Sequence, residues 1–120
     1  MATGPLTVER LAGGAGKGIL CLQGPLTIEN VTLFQSALRR EEHADTIILD
    51  LSEVPYIDSS GLGSLVSAYI SHHKAGRRVA LSGVNERVFK LFRIMKVDSL
   101  FPIFPTLDDA VAAFSNPATA

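Results

Sequence analysis

One cysteine, Cys21, is all the sequence offers for thiol chemistry, which excludes an internal disulfide. It lies in the apolar run Ile19-Leu20-Cys21-Leu22, where a buried structural thiol is expected rather than a reactive one. Long apolar runs are missing as well. None approaches the roughly 18 residues that span a bilayer, and the N-terminus has no charged-then-apolar signal pattern. A cytoplasmic protein without membrane insertion is therefore expected. Charge of one sign is also lacking: eleven Lys and Arg face twelve Asp and Glu, a formal net charge of −1. No summed field draws such a chain to nucleic acid or anionic lipid, so neither is an expected partner. Internal repeats and the G-x-S-x-G nucleophile elbow are absent.

What is present is a globular composition, 47% hydrophobic and 19% charged over 120 residues. That length suits one domain, 1–120, able to bury a core without disulfide or metal. The core is expected over about residues 6–114, with Met1 to Pro5 and Ser115 to Ala120 frayed. Leu6 to Glu9 alternates like a strand with one wet face and should pair antiparallel with the run Ile19 to Leu22. Between them, Gly13-Gly14-Ala15-Gly16-Lys17-Gly18 resembles a phosphate loop but fails the pattern, since Leu11 and Gly18 stand where a glycine and a hydroxyl are needed. A flexible hairpin connection is the better reading.

Thr27 is positioned to cap a helix running to about Arg40, with Val31, Phe34 and Leu38 inward. Thr46 to Leu51, apolar but for Asp50, has the pattern of a central strand covered on both faces. Leu62, Leu65, Val66, Tyr69 and Ile70 mark a second helix ending at Ala75-Gly76-Arg77, and Val79 to Leu81 a short strand. Val84, Val88, Leu91, Phe92 and Met95 mark a third helix, whose Arg87, Lys90, Arg93 and Lys96 form a solvated basic face. Leu100 to Ile103 reads as an edge strand because of Pro102, and Thr106 to Asp109 as a capping box opening a last helix. Strands alternating with helices imply mostly parallel pairing through right-handed crossovers. The expected fold is a small α/β sandwich: a mixed, mostly parallel sheet of four to five strands, an antiparallel N-terminal strand and about four helices on one face.

Candidate chemistry concentrates at Asp58-Ser59-Ser60-Gly61-Leu62-Gly63, where an apolar strand has ended and a helical pattern begins. Unpaired N–H groups and the helix dipole favour negative charge there. A catalytic serine would need a nearby base, but His72 and His73 fall at the far end of the same helix, roughly 20 Å away at 1.5 Å per residue. Adjacent histidines do not share a helical face, and no other ligands complete a metal set. Neither a catalytic residue, a metal nor a cofactor is expected. The residues leave two readings open: a plain helix cap, or a serine that is modified.

The stretch Ile48 to Leu51 through Tyr56-Ile57-Asp58-Ser59-Ser60-Gly61-Leu62-Gly63 resembles the STAS domain of anti-sigma factor antagonists. The similarity continues through Ala75-Gly76, Val79 to Leu81, Val84 to Met95 and the terminal helix. It implies a bacterial partner-switching protein, not an enzyme, whose unmodified form binds an anti-sigma factor that is also a serine kinase, freeing the sigma factor. The implied phosphorylation site is Ser59, with Asp58, Ser60, Gly61, Leu62, Gly63 and Thr27 forming the partner-binding surface. ATP and magnesium would belong to the kinase, and a serine phosphatase would restore the binding form. A monomer or weak dimer is expected. The family's Gly-Glu-apolar-Asp turn is here Gly24-Pro25-Leu26-Thr27, with neither acid. A second reading is a constitutive STAS accessory subunit of a membrane transport complex.

Overall fold

The computed structural model describes residues 5–14 and 16–115. The expected fraying falls outside these but for Pro5 and Ser115, and Ser115 is the last residue of a helix. Strand β1 (Thr7–Ala12) pairs antiparallel with β2 (Lys17–Gln23), as the alternation predicts. After α1 (Val31–Arg39), β3 (Thr46–Glu53) joins β2 in parallel. Helix α2 (Ser59–Lys74) leads to β4 (Arg78–Ser82), and α3 (Glu86–Ile94) to the two-residue β5 (Ile103–Phe104). The chain closes with α4 (Leu107–Ser115). The result is a small α/β domain on a five-stranded mixed sheet of order β1-β2-β3-β4-β5. Every strand lies next to its sequence neighbour, and β3 is central.

Helices cover both faces of this sheet, as the pattern of the central strand implies and the helix lengths by themselves do not. Leu20, Leu22, Ile47, Leu49, Leu51, Val79 and Leu81 pack with Phe34, Leu65, Val88 and Phe92 of the first three helices. Ile19 and Ile48, facing the other way, are covered by Ala110 and its neighbours on α4. The alternation of side chains along β3 makes this unavoidable: a strand apolar at every position needs a partner layer on each side. Asp50, the polar exception, accepts from Ser82 Oγ at 2.8 Å and Ser52 Oγ at 2.7 Å, so its burial leaves no carboxylate oxygen unpartnered.

Several boundaries depart from the periodicity. Thr27 does not cap α1: the N-cap is Asn30, while Thr27 Oγ1 accepts from Glu29 N at 3.3 Å in the preceding turn. Asn30 ties that turn together by accepting from Thr27 N at 2.9 Å and donating to the Pro25 carbonyl at 2.8 Å. Ile70 and Met95, expected inward, are 44% and 53% exposed. In α2 the buried face combines Leu62 and Leu65 with the small residues Gly61, Ser64 and Ala68, and Ile70 falls outside it. Met95 lies past the last turn of α3, as its C-cap. The expected strand at Leu100–Ile103 forms later, at Ile103, because Pro102 has no N–H; its carbonyl instead accepts from Leu81 N at 2.9 Å. Glu41, in the polar stretch just past α1, is buried and accepts from Arg10 Nε at 2.7 Å.

Candidate functional site

Beyond the end of β3 the chain runs alongside the segment that follows β2. Gly24 N donates to Glu53 O at 3.0 Å, Leu26 N to Tyr56 O at 3.3 Å, and Asp58 N to Leu26 O at 3.2 Å. Leu26 and Ile57 form a parallel bridge, and both are buried. This pairing delivers Asp58 to the first turn of α2 in extended conformation, φ −103° and ψ −174°. Its side chain then works in two directions. Oδ1 accepts from Gly61 N at 2.8 Å, capping the helix, and Oδ2 accepts from Ile28 N at 3.0 Å, fixing the neighbouring loop.

The aspartate therefore does what a serine would otherwise do. Ser59 is exposed and Ser60 half-buried, and among the described residues neither hydroxyl has a hydrogen-bond partner. Their backbone N–H groups, at the first two helical positions, also lack an acceptor among the described residues, so the positive end of the helix stays open beside Ser59.

Gly61 is required by contact: a Cβ there would lie 2.2 Å from the Leu26 carbonyl oxygen. Gly63 is different. An added Cβ meets nothing within 4 Å, so no close approach requires a glycine and the surface is simply low at that point. Leu62 is buried in the core and Gly61 against Leu26, so these two shape the site from beneath. The exposed rim consists of Ser59, Gly63 and Ile28, the last 66% exposed. Ile28 was not singled out in the sequence, where an isoleucine after Thr27 reads as the start of a helix. At the positions of the missing turn acids, Pro25 is buried and Thr27 is half-buried, so this rim carries no charge from either.

His72 and His73 belong to the last turn of α2, far from Ser59, and no group of three or more His, Cys, Asp or Glu side chains able to hold a metal ion occurs among the described residues. Cys21 is half-buried, and burial, then Asp50 and Glu9, push its thiol above the ordinary range. No helix among the described residues is long and apolar enough to cross a membrane.

The chain, a five-stranded mixed sheet with four helices among the described residues, matches known proteins along most of its length. The STAS domain profile matches residues 10–110, and the chain belongs to that family. A protein of Thermotoga neapolitana named as a candidate anti-sigma factor antagonist is 34% identical over 96 residues, 78% of this chain and 85% of the relative. The anti-sigma-B factor antagonist of Listeria monocytogenes is 38% identical over 55 residues, 46% of this chain, and the matched stretch spans about half (48%) of that relative. Among solved structures, a candidate anti-sigma factor antagonist from Thermotoga maritima superposes with a TM-score of 0.80 at 27% identity, covering 92% of this chain and 95% of that one. A sulfate transporter family protein from Wolinella succinogenes gives 0.74 at 27% identity, covering 86% and 88%.

Proposed function

We propose that this protein is an anti-sigma factor antagonist of a bacterial partner-switching pathway, that it has no catalysis of its own, and that it acts in the cytoplasm. Its unmodified form binds an anti-sigma factor serine kinase; phosphorylation of Ser59 ends that binding, and a serine phosphatase restores it. The observation that carries this reading is the exposed, unpartnered Ser59 hydroxyl beside a cap supplied by Asp58. The relatives' names point the same way.

The sign of the effect follows from two opposed terms. A phosphate at a helix N-terminus stabilises the isolated domain, by about 0.3 to 1 kcal/mol. In an interface the same group adds about −1.5 to −2 charges next to Asp58, and burying them unpaired costs several kcal/mol. The interface term wins, so phosphorylation changes the partner and leaves the fold intact.

The test is to incubate the protein with ATP, magnesium and lysate of its own host and to map phosphate by mass spectrometry, with Ser59→Ala in parallel. Phosphate on Ser59 that is lost in the variant supports the switch. No phosphate, in a lysate that modifies a known antagonist, refutes it. Captured kinase should also release Ser59→Asp, with affinity down about a hundredfold, equivalent to about 2.7 kcal/mol.

The uncharged turn at Pro25 and Thr27, with the likeness to the sulfate transporter family protein, favours a second reading: a constitutive accessory subunit of a membrane transport complex. That subunit would co-purify with its complex and be indifferent to Ser59→Asp.

A further inference from the structure

A cavity of about 390 Å³ opens at the other end of α2, between its last turns, the start of β4 and the segment 99–102. It exists because β5 is short. β5 pairs only with Leu81 and Ser82, so Arg78, Val79 and Ala80 are left as an open sheet edge on that side. The N–H groups of Leu81 and Gly83 donate toward β5, to Pro102 O and Phe104 O. Strand alternation points the Val79 N–H the same way, beyond the end of β5, where it has no strand to donate to. Ser99 to Pro102 arch over the gap instead of filling it.

The walls are aromatic and the charges at the rim are all of one sign. Tyr69 stacks on His73, 5.5 Å between ring centroids and 10° between planes, and meets Phe101 edge-on at 5.5 Å. Arg77 and Arg78 line the cavity; among the described residues no carboxylate lines it and neither arginine has one within ion-pair distance. The Arg78 guanidinium lies 5.8 Å over the Phe114 ring, which also lines the cavity. One feature opposes an anion: the C-terminus of α2 carries a partial negative charge of about one half. Two full positive charges outweigh it. Two carbonyls of the last turn of α2 are also satisfied, His72 O by Arg77 N at 2.8 Å and His73 O by Gly76 N at 3.0 Å.

We propose that this cavity binds a small aromatic carboxylate, its ring between the aromatic walls and its carboxylate against Arg77 and Arg78. Guanidinium groups suit this chemistry because their fork matches a carboxylate and their flat face tolerates an aromatic neighbour. The volume lies in the range of small-molecule sites. The proposal is independent of the reading of Ser59, about 21 Å away along α2 at 1.5 Å per residue.

Two-dimensional amide NMR on the whole chain tests it, with 2-naphthoate and the uncharged 2-naphthylmethanol as probes. Naphthoate should bind with a Kd of about 1 mM or tighter, shifting Val79, Leu100 and Phe101 above all. Naphthylmethanol should bind at least about fivefold more weakly, and Arg78→Gln should erase most of that difference while leaving the melting temperature unchanged. Arg77→Gln is the second variant. Equal affinity for the two probes, saturable shifts confined to another surface, no saturable binding, or unchanged naphthoate affinity in both variants would each overturn the proposal.

Discussion

The two ends of α2 are built on opposite principles. At the N-terminal end almost everything is backbone: Leu26 brackets the site with paired N–H and C=O groups, Gly61 sits against a carbonyl, and one carboxylate serves two N–H donors. At the C-terminal end the backbone is closed by its own turn, with Gly76 at φ +76°, and the character of the surface comes from Tyr69, His73, Arg77 and Arg78. The first end holds a short hydroxyl in a fixed place; the second offers a concave surface whose side chains set its preference. A rigid frame around a small group suits a switch, since adding a phosphate changes the surface without moving the frame. Interchangeable side chains around a gap suit selection of a ligand.

That contrast can be broken at graded cost. Gly61→Ala is the most severe test. Its Cβ would lie 2.2 Å from Leu26 O, and because Leu26 is locked on both sides the loss in urea denaturation should be about 3 kcal/mol. A loss below about 1 kcal/mol would mean that the Leu26 segment moves aside freely and is no frame. Asp58→Ala removes the acceptor for Gly61 N and Ile28 N together and should cost about 1 to 2 kcal/mol, with faster amide exchange at Ile28. Asp58→Asn, which keeps the capping oxygen for Gly61 N but turns its amide NH2 toward the Ile28 N–H, should recover only part of it.

The C-terminal end should respond more mildly. Gly76→Ala places a side chain in the left-handed region where nothing lies within 4 Å, so the cost is backbone strain alone, about 1 kcal/mol by thermal unfolding. Helix α3 supplies the mirror experiment. It ends in the same turn, Val97 N to Phe92 O at 2.9 Å and Lys96 N to Arg93 O at 3.1 Å, but with Lys96 at φ 61° in the glycine position. Lys96→Gly should therefore stabilise, by about 0.5 kcal/mol after the added freedom of the unfolded chain is subtracted. The smallest effect concerns neither end. Because burial, Asp50 and Glu9 all raise the Cys21 thiol, less of it is thiolate at any pH below that raised range. Alkylation at pH 8 should be slower than for free cysteine and should accelerate only as pH rises further.

Much of this was legible along the chain because it rests on local pattern. The continuous apolar run at Ile47 to Leu49 announces a central strand, the alternation after Leu6 an edge, and Asp58 before Ser59 a helix start. Other features were hidden because their cause lies far away in sequence. Glu41 is only one more polar residue after α1 until β1 brings Arg10 to it, 31 residues distant. Thr27 reads as a cap until Asn30 is seen tying the turn to Pro25. Ile28 reads as part of a helix until Asp58, 30 residues on, takes its N–H and leaves its side chain in solvent.

By itself, then, the sequence determined the order of strands and helices, the antiparallel start, the central strand and the place of Ser59, since periodicity and capping chemistry act over a few residues. Only the tertiary structure decided which residue caps α2, which glycine is sterically required, which face α4 covers and where a cavity opens beside a strand too short to close it. Those outcomes depend on groups separated by tens of residues meeting within a few ångströms, and no local preference encodes such a meeting.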